Sequence, residues 1–314
     1  VFSGADKAQA LAALDAGQPS THGPARIVVV AADAAELATR RAQARRWLEA
    51  GGPVPEGVAF RAAPITGQTA FVFTGAAAAY PGMGRELALA LPQQVAAVGA
   101  RCSEMQAATD WIYGPGDGQP THPLDQLWGT SFVCQLHAEV TRHLLGIRPE
   151  ATIGYSSGES NALFAMGAWN DLGEMMKASR TGTAFTQDLV APFNAARQAW
   201  TRQGLADADS RTWASYVVAA PLAEVKAALA LEPLAHLTII NTAQDCVIGG
   251  EAAACARVVQ RLGQARTLPL GYDMAAHCPE VEEIRDAWWQ LHHRAVQDVP
   301  GVRFYTNATG QWFT

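Results

Sequence analysis

A serine set between glycines, Gly154-Tyr155-Ser156-Ser157-Gly158 followed by Glu159, is the stretch of this sequence best suited to nucleophilic chemistry. A short apolar run, Ala151-Thr152-Ile153, leads into it, and a helical pattern over residues 161–166 leads out. Strand, tight turn, serine and helix together make a nucleophile elbow of a G-x-S-x-G pattern. The turn lifts the hydroxyl clear of the sheet, and the flanking glycines remove Cβ atoms that would clash. The helix N-terminus then offers free backbone N–H groups and partial positive charge to a developing oxyanion. Glu159 falls in the first helical turn, where a carboxylate suits that dipole. The same pattern also arises by chance in a glycine- and alanine-rich chain, so the partners of Ser156 must decide.

A serine hydroxyl needs a base, and the sequence offers eight histidines. His22 and His122 fall in polar loops, His137 and His143 on an amphipathic helix, and His292 and His293 late in another. His236 precedes a strand. His277 lies just before a helix, where a small inserted domain hands back to a larger one, and such interfaces are where clefts form. Position favours His277 over any other single histidine and leaves the others open.

The elements that must position these residues follow from hydrophobic periodicity. Residues 1–66 read as a small α/β unit, with helices over 8–16 and 34–50 and strands over 26–30 and 58–60; Pro64 and Gly67 mark its end. A strand over 69–73, a small-residue loop over 74–82 and helical pattern in two pieces to residue 109 follow. Turn chemistry predicts an exposed loop over 113–120, and apolar spacing at Phe132, Leu136, Val140 and Leu144 predicts an amphipathic helix over 131–145. Beyond the elbow, helices fill 171–202. Strands over 213–219, 237–241, 245–248 and 266–270 alternate with helices over 221–231 and 251–262 in βαββαβ order, the ferredoxin-like arrangement. A helix over 281–296 and a strand over 302–306 close the chain. The predicted fold class is therefore α/β. A large subdomain over 67–210 and 272–314 carries the elbow, a small ferredoxin-like subdomain over 211–271 is inserted into it, and the α/β unit at 1–66 precedes both.

Composition narrows the function classes. A hydrophobic fraction of 49% supports a substantial core, and a net charge of −6 without a basic block argues against a nucleic-acid footprint. No apolar run approaches a membrane span. The five cysteines, Cys102, Cys134, Cys246, Cys255 and Cys278, form no C-x-x-C pair, which speaks against zinc and against a disulfide framework and fits a reducing cytoplasm. The first residues are not a signal peptide, and the chain is expected to be a piece of a longer one.

Five landmarks now stand in order: Phe71-Val72-Phe73-Thr74-Gly75 with Pro81-Gly82-Met83-Gly84, the elbow, Arg180, Asn241 with Val247-Ile248-Gly249-Gly250, and Met274-Ala275-Ala276-His277. Over nearly the whole chain they resemble the acyltransferase domain of type I polyketide synthases, the malonyl-CoA:acyl-carrier-protein transacylase family. The resemblance implies an α/β-hydrolase-like large subdomain with a parallel sheet, and a ketosynthase-to-acyltransferase linker at 1–66. It implies Ser156 and His277 as catalytic residues, the backbone N–H groups of Ala76 and Ser157 as oxyanion hole, and Arg180 as the clamp for a substrate carboxylate. Malonyl-CoA would be the substrate, a carrier-protein phosphopantetheine the acceptor and a ketosynthase the neighbour, with no resident cofactor, metal, nucleic acid or membrane.

Several positions depart from the family pattern. Tyr155 replaces a histidine, Ala76 and Ala79 replace two glutamines, and Trp128 stands where another glutamine is usual. Tyr155, Trp128, Asn241, Met274 and Ala276 are accordingly the pocket candidates. Met274-Ala275-Ala276 matches neither the malonyl nor the methylmalonyl form of the specificity motif. The elbow G-Y-S-S-G-E-S is most similar to those of enediyne-type iterative synthases and polyunsaturated-fatty-acid synthases, which use malonyl units. The family segment whose carbonyl orients the histidine is expected beyond Thr314, and no acid presents itself as a third triad member. Two other readings stay open: a serine thioesterase or hydrolase with the same elbow, and a decayed domain kept as a scaffold for a carrier protein.

Overall fold

The computed structural model describes residues 1–114, 122–205 and 207–314. The loop expected over 113–120 falls mostly outside them. The chain divides into two compact units, Val1–Gln68 and Thr69–Thr314.

The first unit is a three-stranded antiparallel sheet in the order β1-β2-β3, made of β1 (Phe2–Gly4), β2 (Ala25–Val29) and β3 (Val58–Arg61). Helices Lys7–Ala16 and Ala34–Ala50 begin on Asp6 and Asp33, whose carboxylates accept the backbone N–H groups of Gln9 and Glu36. Gly17, at φ 65°, closes the first helix, a left-handed conformation that glycine adopts at no steric cost. Phe2, Leu14, Ile27, Leu48 and Val58 form the unit's core.

The second unit is built on β4 (Ala70–Phe73), β5 (Ala151–Gly154), β10 (Arg303–Tyr305) and β11 (Trp312–Phe313), in the order β11-β10-β5-β4. β4, β5 and β10 run parallel, and β11 turns back antiparallel on β10. The helical pattern expected in two pieces to residue 109 resolves into three, Arg85–Ala90, Pro92–Arg101 and Glu104–Ala107, because Pro92 begins a new helix and Cys102 ends it, and a further short piece, Asp110–Tyr113, follows. The helix expected over 131–145 starts earlier, at Pro123, where proline suits the first turn and His122 Nδ1 accepts the Leu124 N–H. It is buried almost throughout from Trp128 to Leu136 and passes into a π-helical turn, Val140–Leu144. It is thus a central helix, with Met105, Ile112, Phe132, Met176 and Phe185 in the core it helps to form. The closing helix is shorter than expected: a 3₁₀ segment, Pro279–Ile284, precedes Arg285–His292.

Over the stretch expected as an inserted subdomain, β6 (Trp213–Val218), β7 (Ala235–Thr242), β8 (Asp245–Glu251) and β9 (Thr267–Pro269) form a separate antiparallel sheet in the order β7-β8-β6-β9. Helices Leu222–Leu229 and Ala252–Leu262 complete the βαββαβ order and bury Val218, Val225, Ile248 and Val258 between helices and sheet. All five cysteines are free thiols. No helix among the described residues is long and apolar enough to cross a membrane.

Glu232 joins the two halves of this subdomain. It accepts from Arg257 at 2.7 Å and Arg261 at 2.6 Å while itself only 4% exposed. Those bonds outweigh its burial and hold its carboxyl down at about 2. A depressed folded pKa gives stability that is complete above the usual carboxylate value and is lost as pH falls through the folded one. Glu232→Gln is expected to cost about 1–3 kcal/mol at neutral pH. Urea titrations from about pH 5 to about pH 2 should show the wild type losing this increment and the variant lacking it.

Candidate active site

β5 enters the elbow beside β4, with the Tyr155 N–H bonded to the Phe73 carbonyl at 2.8 Å. The helix Gly158–Met166 leaves it. Between them Ser156 adopts φ 53°, a left-handed backbone that L residues rarely hold. Two glycines make the turn possible. A Cβ on Gly154 would lie 2.1 Å from the Glu159 nitrogen, and one on Gly158 would lie 2.3 Å from the Phe73 carbonyl oxygen. Any other residue would push the helix off the sheet.

Ser156 Oγ lies 2.8 Å from His277 Nε2, across 121 residues of sequence. An imidazole protonated at Nδ1 accepts the serine proton at this distance. His277 is itself left-handed, at φ 57°. Its loop is tied upstream by the N–H of buried Ala275, which donates at 2.7 Å to the Leu189 carbonyl just past the π-helical turn Ala184–Asp188. Crowding around the imidazole lowers its pKa from the ordinary histidine value, and the Glu159 carboxylate pulls the other way. Glu159 accepts the Asn307 N–H at 2.6 Å, and the Asn307 carboxamide donates to the Gly154 carbonyl, so the end of β10 braces the elbow.

Beside the serine, Ala76 opens a 3₁₀ turn, Ala76–Ala78. Among the described residues no acceptor takes the backbone N–H of Ala76 or of Ser157. The Ala76 carbonyl is fixed by Thr130 Oγ1 at 2.7 Å, from the central helix. Donors of this kind stabilise a tetrahedral oxyanion where they face it.

The remaining candidates distribute unevenly. Tyr155 is 40% exposed, its ring against Gly75 and its hydroxyl facing Asn241 and Asp245 of the β7–β8 hairpin; burial raises its pKa. Trp128 is a core residue, 3% exposed, whose indole donates to Ser179 Oγ at 3.1 Å. Met274 is buried in the same core, and Ala276 packs against it. Arg180 sits exposed in the last turn of Leu172–Thr181 and has no ion pair among the described residues. Its charge reaches Glu104, whose carboxyl is lowered chiefly by its own backbone N–H, Ser103 and Cys102. Thr130 and Asn307 carried no local signal in the sequence: each acts through a contact more than 50 residues away.

No family model matches the chain. A subunit of the polyunsaturated fatty acid synthase of Thraustochytrium sp. is 30% identical over 165 residues, which are 51% of this chain and 8% of that protein. Polyketide synthase GfsE of Streptomyces halstedii is 26% identical across 99% of this chain, again only 8% of its own length. The chain thus spans a small fraction of the curated relatives it matches. Among solved structures, the acyltransferase domain from the second module of the salinomycin polyketide synthase gives a TM-score of 0.69 at 25% identity, covering 98% of this chain and 67% of that one. A malonyl-transacylase solved with its type II acyl-carrier protein gives 0.62 at 18% identity, over 79% and 77% of the two chains. The α/β fold with its parallel-containing sheet is shared with these transacylases and acyltransferase domains.

Labelling of Ser156 by a fluorophosphonate reports the nucleophile whatever the natural substrate. The rate should fall on acidification with an inflection below the ordinary histidine pKa of 6.5, because His277 is depressed. Removing a pKa-raising charge with Glu159→Gln should move the inflection lower still.

Proposed function

We propose that the chain is the acyltransferase unit of a polyketide synthase, and that it moves malonyl from malonyl-CoA to the phosphopantetheine thiol of an acyl carrier protein. The observation that carries this reading is the 2.8 Å contact between Ser156 Oγ and His277 Nε2, on a fold shared with the salinomycin acyltransferase domain.

His277 takes the serine proton as Oγ attacks the thioester carbonyl. The oxyanion of the tetrahedral intermediate is held by the N–H groups of Ala76 and Ser157. Its collapse breaks the C–S bond, and CoA leaves as the thiol with the proton from His277. In the second half the carrier's thiol gives its proton to His277, attacks the malonyl ester and frees Ser156, which recovers the proton. Arg180 holds the distal malonyl carboxylate through a two-pronged ion pair; its place on the second helix after the elbow and its lack of an ion-pair partner among the described residues support that role. Tyr155 and Asn241 form the wall on the small-subdomain side, while Trp128, Met274 and Ala276 shape the pocket from the core. The dyad geometry disfavours a decayed scaffold. The match to the polyunsaturated fatty acid synthase, together with the Tyr155 elbow, supports an iterative, malonyl-using subtype of enediyne or polyunsaturated-fatty-acid kind, with a ketosynthase as neighbour in the same polypeptide.

Intact-mass analysis with malonyl-CoA should show a malonyl adduct that moves to added carrier protein and is absent in Ser156→Ala. Release of free malonate without transfer to the carrier would identify a hydrolase instead. Arg180→Ala should slow malonyl loading by about 10- to 100-fold and leave acetyl loading nearly unchanged; equal losses on both substrates would remove the clamp from the mechanism.

A further inference from the structure

Three elements meet at one buried carboxylate, three residues past His277. Glu280 is 2% exposed, and its Oε1 lies 2.9 Å from His236 Nε2 on β7 and accepts from Trp200 Nε1 at 3.3 Å. Trp200 belongs to the helix Asn194–Arg202 and is fully buried. The other oxygen, Oε2, has no hydrogen-bond partner among the described residues. Burial alone would raise the carboxyl's pKa, yet the bond to His236 and its charge leave it lowered. A carboxylate is costly to place in such a position, and apolar residues would fill the same space more cheaply.

The cost coincides with a need. His277 holds φ 57°, which a non-glycine residue keeps only where its surroundings over-determine the backbone. Upstream, Ala275 is anchored to Leu189. Downstream, the buried anchor is Glu280, and through His236 it belongs partly to the inserted subdomain. β7 therefore reaches the segments that carry both halves of the dyad: His236 near its start bonds to Glu280, three residues after His277, and Asn241 near its end faces Tyr155, the residue before Ser156.

We infer that Glu280, with His236 and Trp200, is a positioning residue for His277, and that through it the inserted subdomain sets the distance between base and nucleophile. The inference rests on the serine–histidine reading of the site. Misplacing a catalytic group by about 1 Å costs on the order of 100-fold in rate, so loosening this anchor should be felt in turnover more than in substrate binding.

Fluorophosphonate labelling and malonyl-CoA loading would be measured on wild type, Glu280→Ala, Glu280→Gln and His236→Leu, with folding checked by circular dichroism. The expected result is labelling slowed about 10- to 100-fold in Glu280→Ala and His236→Leu, with kcat for loading falling while KM stays within about threefold of wild type. Glu280→Gln keeps the oxygen that receives both bonds and should label within about threefold of wild type, a rescue that loss of packing alone does not produce. Wild-type labelling in a folded Glu280→Ala or His236→Leu protein overturns the role, and so does a Gln variant as slow as Ala. If Ala does not fold, His236→Leu and Gln decide between them. A wild type that labels but takes no malonyl would sink the acyltransfer reading while leaving this comparison decisive; a wild type that does not label sinks both.

Discussion

Gly158 presses the elbow helix against the neighbouring strand. It packs so tightly on β4 that an added Cβ would stand 2.3 Å from the Phe73 carbonyl oxygen. The helix N-terminus stands next to the serine, where the Ser157 N–H has no acceptor among the described residues. The Gly158 contact also keeps β4 close enough that the loop after it, with Ala76, shares the site. The parallel pairing of β4, β5 and β10 exists around this contact, and the end of β10 returns to it through Asn307 and Glu159.

The loop after β4 offers the site backbone rather than side chains. Ala76 has only its backbone N–H to offer, and Thr130 fixes the same residue's carbonyl from the central helix. Oxyanion stabilisation depends on where donors point rather than on which side chain carries them, so alanine in this loop is compatible with chemistry. Tyr155 lies on the other flank, its half-exposed ring reaching toward Asn241 and Asp245 of the β7–β8 hairpin.

Much of this is legible in the sequence because the signals are local. The G-x-S-x-G turn, the alternation of strands and helices over 213–270, and the capped helix over 34–50 are each written within a few residues. The long central helix is misjudged at its start because Pro123 and His122 carry the signal, while the apolar spacing that suggests residue 131 continues the same buried surface. What stays hidden is non-local. No short window of sequence contains both Thr130 and Ala76, or both Glu280 and His236. Position points to His277, but only the fold brings it to Ser156.

The left-handed backbone at Ser156 and His277 bears on stability as well as on chemistry. Each such residue costs on the order of 1–2 kcal/mol relative to a glycine in the same place. Glycine at either position would hold the same backbone without that strain but would remove the side chain. Stability at these two positions is thus exchanged for the two side chains that meet 2.8 Å apart.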